Sequence, residues 1–221
     1  MAIQLQGVGA VAIGSSEDAS APIHVALHGM AGNAYRYSGF TGTIGAALGA
    51  NSELLQFRFL TGTKTKCIVR KIMLDGIGIV AVATALGPLG WMVKPARSWS
   101  VAGSGGTRIA TTGDNLQLRQ ANPASQVNDL GIATTGALTA GTKTLDANAI
   151  GQAIISIGTG AVTTYQAIPE SGQALLDVSG GGAPLVLGDQ EGFSILTTHV
   201  GPAALTYVVG FTIDWLEVAA Y

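Results

Sequence analysis

From Leu205 to Trp215, apolar residues occupy every second position: Leu205, Tyr207, Val209, Phe211, Ile213 and Trp215. Thr206, Gly210, Thr212 and Asp214 fill much of the opposite face. Successive side chains of a strand point to opposite faces, so this pattern predicts one long half-buried β-strand running almost to Tyr221. The same period appears upstream. Leu55, Phe57 and Phe59 alternate with Gln56 and Arg58 up to a stop at Thr61-Gly62-Thr63, and Lys66–Leu74 reads as the next strand. Gly76–Val93 is wholly uncharged, and reads as two buried strands joined at Gly87-Pro88-Leu89-Gly90. Trp91–Val101 follows, with Pro95 predicted to sit at an edge or bulge because proline offers the ladder no donor.

Beyond the glycine-rich turn at 103–106, shorter strands are predicted near Leu116–Arg119, Leu130–Thr134, Ala153–Ile157, Ala174–Val178, Pro184–Leu187 and Phe193–His199, with a turn at Thr139–Lys143. Turn signals recur about every ten residues, the spacing of an all-β sandwich or barrel. The expected fold is therefore all-β, a jelly-roll-like β-sandwich over residues 51–221. Residues 1–50 are rich in Gly, Ala and Ser with weak periodicity. They read as an extended N-terminal arm that becomes ordered against other subunits.

Composition sharpens this picture. Charged residues are 11% of the chain, against about 25% in a typical soluble domain. Glycine, at 32 of 221 residues, is about twice its usual share of ~7%. Mean hydropathy is +0.41. Apolar surface with so few charges calls for a cover, either a membrane or an assembly partner. The run 76–93 reaches the lower length for a membrane helix, but its glycines, its proline and its initial alternation favour strands, so no membrane partner is expected. The N-terminal apolar run lacks a positive leader and is broken by Gly7, Gly9 and Gly14, which argues against a signal peptide. A net charge of −2 gives no basis for nucleic-acid binding. The charges are split along the chain: all basic residues lie between Arg36 and Lys143, whereas 144–221 holds acids only. Either two differently solvated sheet faces or head-to-tail complementarity between subunits accounts for such a split.

Candidate chemistry is sparse. Cys67 is the single cysteine, which excludes an internal disulfide, and its alternating surroundings predict a buried thiol. Ser104 in Gly103-Ser104-Gly105-Gly106 approaches a nucleophile elbow, yet that motif needs a helix after the serine and Thr107–Thr111 is strand-like. His24 and His28 have i, i+4 spacing without the glutamate of a metalloprotease motif, and His199 lies in a predicted strand. Trp91, Trp99 and Trp215 are possible sugar-stacking platforms, with core or interface packing the simpler role. No catalytic, cofactor-binding or metal-ligating residue is assigned, and the chain reads as a non-enzyme.

The phrases SELLQFRFL, CIVRKIML, PARSWSV with its glycine-rich turn and GDNLQLR, ALTAGTKTLDANAIG, PLVLGDQEGFSI and VGFTIDWLEVAAY give residues 51–221 a resemblance to tailed-bacteriophage virion proteins. The resemblance is greatest to capsid decoration (cement) proteins. It implies a β-sandwich on the capsid surface of the virion, binding the phage major capsid protein and its own copies as a homotrimer, with no catalytic residues. A head-fibre or tail protein that binds host-surface glycan is the alternative.

Overall fold

The computed structural model describes residues 33–46, 48–81, 83–84, 87–112, 116–118, 122–157, 172–179 and 181–219. Among these there is no helix, and the strands run β1 (Asn33–Phe40), β2 (Glu53–Phe59), β3 (Lys66–Ala81), β4 (Gly87–Val101), β5 (Thr107–Arg108), β6 (Val127–Ile132), β7 (Thr142–Leu145), β8 (Gly151–Ile157), β9 (Gln173–Asp177), β10 (Leu185–Leu187), β11 (Glu191–Thr197) and β12 (Thr206–Val218). They form two antiparallel sheets. The first has the order β1-β12-β3-β10, with β9 also on β3. The second has the order β5-β6-β2-β11-β4-β7, with β8 also on β4.

The sheets pack face to face as a β-sandwich whose core is the set of inward positions that the alternation marks. Tyr207, Val209, Phe211, Ile213 and Trp215 of β12 are all buried. Trp215 meets Phe57 of the other sheet edge to face at 5.1 Å, and Phe57 stacks on Phe193 at 4.9 Å. Trp91 meets Tyr207 across the sandwich at 6.2 Å. Burying each large apolar side chain contributes about 1.5–3 kcal/mol, so these aromatics set the spacing of the layers.

The strand expected near Leu116–Arg119 is absent among the described residues, where Gln117 makes an isolated bridge to Tyr35, and two larger expectations also change. First, Gly87-Pro88-Leu89-Gly90 is not a turn: it opens β4 and pairs with β8 from Gly87 opposite Ile157 onward, and the chain reverses between Ala81 and Gly87. Proline is tolerated there for a local reason. The Gly90 carbonyl accepts from the Thr198 amide on the β11 side. Pro88, two residues earlier, faces the same side, beyond Thr197, where β11 stops pairing with β4. The uncharged run 76–93 is thus divided between β3 and β4, and no helix among the described residues is long and apolar enough to cross a membrane.

Second, the sandwich includes residues upstream of Asn51. β1 pairs with β12 along its whole length, from Asn33 opposite Glu217 to Phe40 opposite Gly210. Tyr35 and Ile44 are fully buried. The Tyr35-x-Tyr37 alternation is too short to stand out against the glycines that follow. Residues 1–32, the rest of the expected arm, lie outside the described residues.

Pro95 sits where its residue type predicts a break. The outer neighbour of β4 changes there, from β8 (ending at Val93 opposite Gly151) to β7 (starting at Ala96 opposite Leu145). Its carbonyl still accepts from Asp146.

Candidate functional site

The residues singled out for chemistry are scattered. Ser104 lies in an exposed turn whose backbone bridges to Thr139, and β5 follows it, so the strand–turn–helix of a nucleophile elbow is not formed. Cys67 is fully buried, and burial, with the nearby Glu217 charge adding to it, pushes its thiol well above the ordinary range. His199 is exposed and its ring contacts only the Thr198 hydroxyl among the hydrogen bonds of the described residues. His24 and His28 lie outside the described residues. Trp91, Trp99 and Trp215 are all buried, so none offers a face to a sugar.

The charge split resolves within the chain. Arg36 of β1 holds Asp214 of β12 through two bonds of 2.5 and 2.7 Å. Lys71 approaches Asp177 at 3.9 Å. Arg97 holds Asp146 at 2.9 Å and reaches Glu191 at 3.4 Å. Basic early strands and acidic late strands are neighbours, so four of the late acids face bases of the same subunit. A shallow cavity of about 320 Å³ lies on the outer face of the first sheet, between Arg36, Arg70, Lys71, Asp177, Ser179 and Asp214. Most of its charges are spent on these pairs.

The densest polar constellation was hidden from sequence reasoning. Gln56 and Arg58 read as the wet face of a half-buried strand, yet every residue of β2 is buried. The outer face of the second sheet is roofed by the segments around Gly103 and Thr139. A register shift, Ile195 opposite Leu55 and then Leu196 opposite Glu53, leaves Leu54 as an extra residue and turns Glu53 onto the Gln56 face. Ser98, in the left-handed region at φ 51°, marks a bulge in β4 that turns Trp99 onto the same face, away from Trp91 in the central core.

Under this roof, the Lys143 ammonium donates to Glu53 Oε2 at 2.6 Å and to the Ala140 carbonyl at 2.7 Å, 3.9 Å from the centre of the Trp99 ring. Gln56 Nε2 donates to the same Glu53 oxygen at 2.5 Å and to the Thr139 carbonyl at 2.9 Å. Gln56 Oε1 accepts from Arg108 at 3.0 Å, and Arg108 pairs with Asp129 at 2.7 Å. Burial lowers the Lys143 pKa, with the Glu53 partner opposing the shift. Gly103 makes the roof possible: a Cβ there would lie 2.1 Å from Gln56 Oε1. The readable signal was the pairing of a polar strand face with a glycine-rich turn able to cover it.

A different feature occupies one end of the sandwich. Residues 37–52, 76–93, 147–169 and 192–213 contain no Lys, Arg, Asp or Glu. Their described parts meet there: the Gly201 amide donates to Leu48, Thr84 to Ala203, Thr198 to Gly90 and Ile44 to Tyr207. Ile154 lies opposite Gly90, and Ala81 opposite Thr206. Val80, Ile154 and Val200 are exposed on this end, Val80 and Val200 at 59% each.

No protein-family model, no curated protein and no solved structure matches the chain. Among the described residues no three His, Cys, Asp or Glu side chains are grouped to hold a metal.

Proposed function

We propose that this chain is a non-enzymatic structural protein of a tailed-phage virion, a capsid decoration protein that cements the shell by binding the major capsid protein and neighbouring copies of itself. The observation that carries the reading is the uncharged end of the sandwich. Interface cores are depleted of charge, and solvent-facing protein surface is not. Four separate stretches of a chain contribute to one end without a charged side chain, and leave Val80, Ile154 and Val200 outside. A broad apolar contact of this kind suits permanent attachment to a protein lattice, where each copy repeats the same contact. The resemblance of residues 51–221 to decoration proteins points the same way, and buried tryptophans weaken the glycan-binding alternative.

The seat on the major capsid protein is assigned to this end. Val200→Lys together with Val80→Lys places two charges on it without touching the core. The double variant keeps the wild-type melting curve and loses most of its occupancy on purified particles. Unchanged occupancy would place the contact elsewhere.

A further inference from the structure

We propose that Lys143 and Gln56 become joined by an intramolecular isopeptide bond, with Glu53 as the proton carrier and ammonia as the leaving product. The inference rests on the buried constellation alone and does not depend on the virion reading.

The parts of an amide-transfer reaction are all present. Lys143 Nζ is the nucleophile. Its side chain is 1% exposed, and it donates to Glu53 Oε2. The Gln56 carboxamide is the electrophile, fully buried. Both nitrogens contact the same Glu53 oxygen, at 2.6 and 2.5 Å, so the attacking amine and the departing amide nitrogen share one proton relay. Gln56 Oε1 faces the Arg108 guanidinium at 3.0 Å, which stabilises the negative charge that develops on that oxygen. The amide orientation is fixed from both ends. Nε2 faces two acceptors, Glu53 and the Thr139 carbonyl, and Oε1 faces a donor.

The step balances without a cofactor or oxidant. A proton passes from Lys143 Nζ to Glu53 Oε2. The freed lone pair attacks Gln56 Cδ and forms the C–N bond, with the oxyanion on Oε1 held by Arg108. Glu53 returns the proton to Nε2, the Cδ–Nε2 bond breaks and ammonia departs, taking up through Glu53 the second proton of the attacking Nζ, so that a neutral amide and an ammonium ion remain. Glu53 ends as it began. Burial aids the reaction twice: desolvation favours the neutral amine, and exclusion of water protects the intermediate from hydrolysis. The bond ties β2 to the start of the β7 segment, so it closes a long chain loop across the second sheet. A covalent closure of this kind restricts the unfolded chain as a disulfide does, in a protein whose only cysteine is buried.

The test is the intact mass of the denatured wild-type chain, followed by a peptide map. The expected result is a loss of about 17 Da, one ammonia, located to a peptide pair linking Gln56 and Lys143. Glu53→Gln, which keeps the shape and removes the proton carrier, restores the full mass, and so does Lys143→Arg. A wild-type chain at its full sequence mass overturns the proposal even if no variant folds. A loss that persists in Lys143→Arg, or one of about 18 Da that marks water leaving a carboxylate, also overturns it.

Discussion

The Ser125 hydroxyl lies 2.5 Å from a carboxylate oxygen of Glu217, across the gap between the last strand of one sheet and the lead into β6 of the other. Glu217 continues the inward row of β12 after Trp215 and is fully buried. The Gln126 amide donates to it at 3.0 Å and the Trp215 indole at 3.1 Å. A charged group is therefore held inside by donors alone, with no cation within ion-pair distance among the described residues, and it latches the two sheets together.

Removing that carboxylate strands three buried donors. Glu217→Ala is expected to lower stability by about 1–3 kcal/mol, the cost of leaving buried polar groups unsatisfied. A urea titration checks it: the midpoint falls while the slope stays at the wild-type value.

Gly151 faces a backbone that cannot yield. A Cβ there would stand 1.7 Å from the Leu175 carbonyl oxygen, where β8 of one sheet passes β9 of the other. Gly151→Ala is expected to cost about 1–3 kcal/mol through forced backbone shifts. Gly136 has nothing within 4 Å of its would-be Cβ, so Gly136→Ala stays within about 0.5 kcal/mol of wild type. Thermal melts of the two variants side by side separate steric closure from a general intolerance of glycine replacement.

Burial raises the phenols of Tyr35, Tyr37 and Tyr207 above their ordinary value, with the Glu217 charge adding to the effect at Tyr35. In the unfolded chain they ionise near pH 10. Above that pH the unfolded state carries fewer protons than the folded one, so stability falls as pH rises. Urea midpoints measured from neutral into alkaline buffer show this decline. Tyr207→Phe makes it shallower, and its hydroxyl, buried without a hydrogen-bond partner, is lost without destabilising the neutral protein.

The two-sheet architecture was legible because the inner face of each long strand is apolar and the period is two. β2, β9, β10, β11 and β12 fall close to where the alternation places them. β1 was missed because two tyrosines make a short signal, and the β3–β4 reversal was displaced because Gly-Pro-Leu-Gly has turn chemistry that the edge position of Pro88 tolerates. The buried network went unread for a different reason. Polar residues at alternate positions of a strand look the same whether water or a roof covers them, and Glu53 and Trp99 reach that face only through bulges at Leu54 and Ser98. The uncharged end follows from four gaps in the charge pattern that only the fold brings together.

Copy number decides the central claim. Quantitative mass spectrometry of purified virions, measured against the major capsid protein, is predicted to find this chain at parity or at a fixed simple fraction of the shell subunit. A few copies per particle, or none, would contradict a cementing role on the capsid.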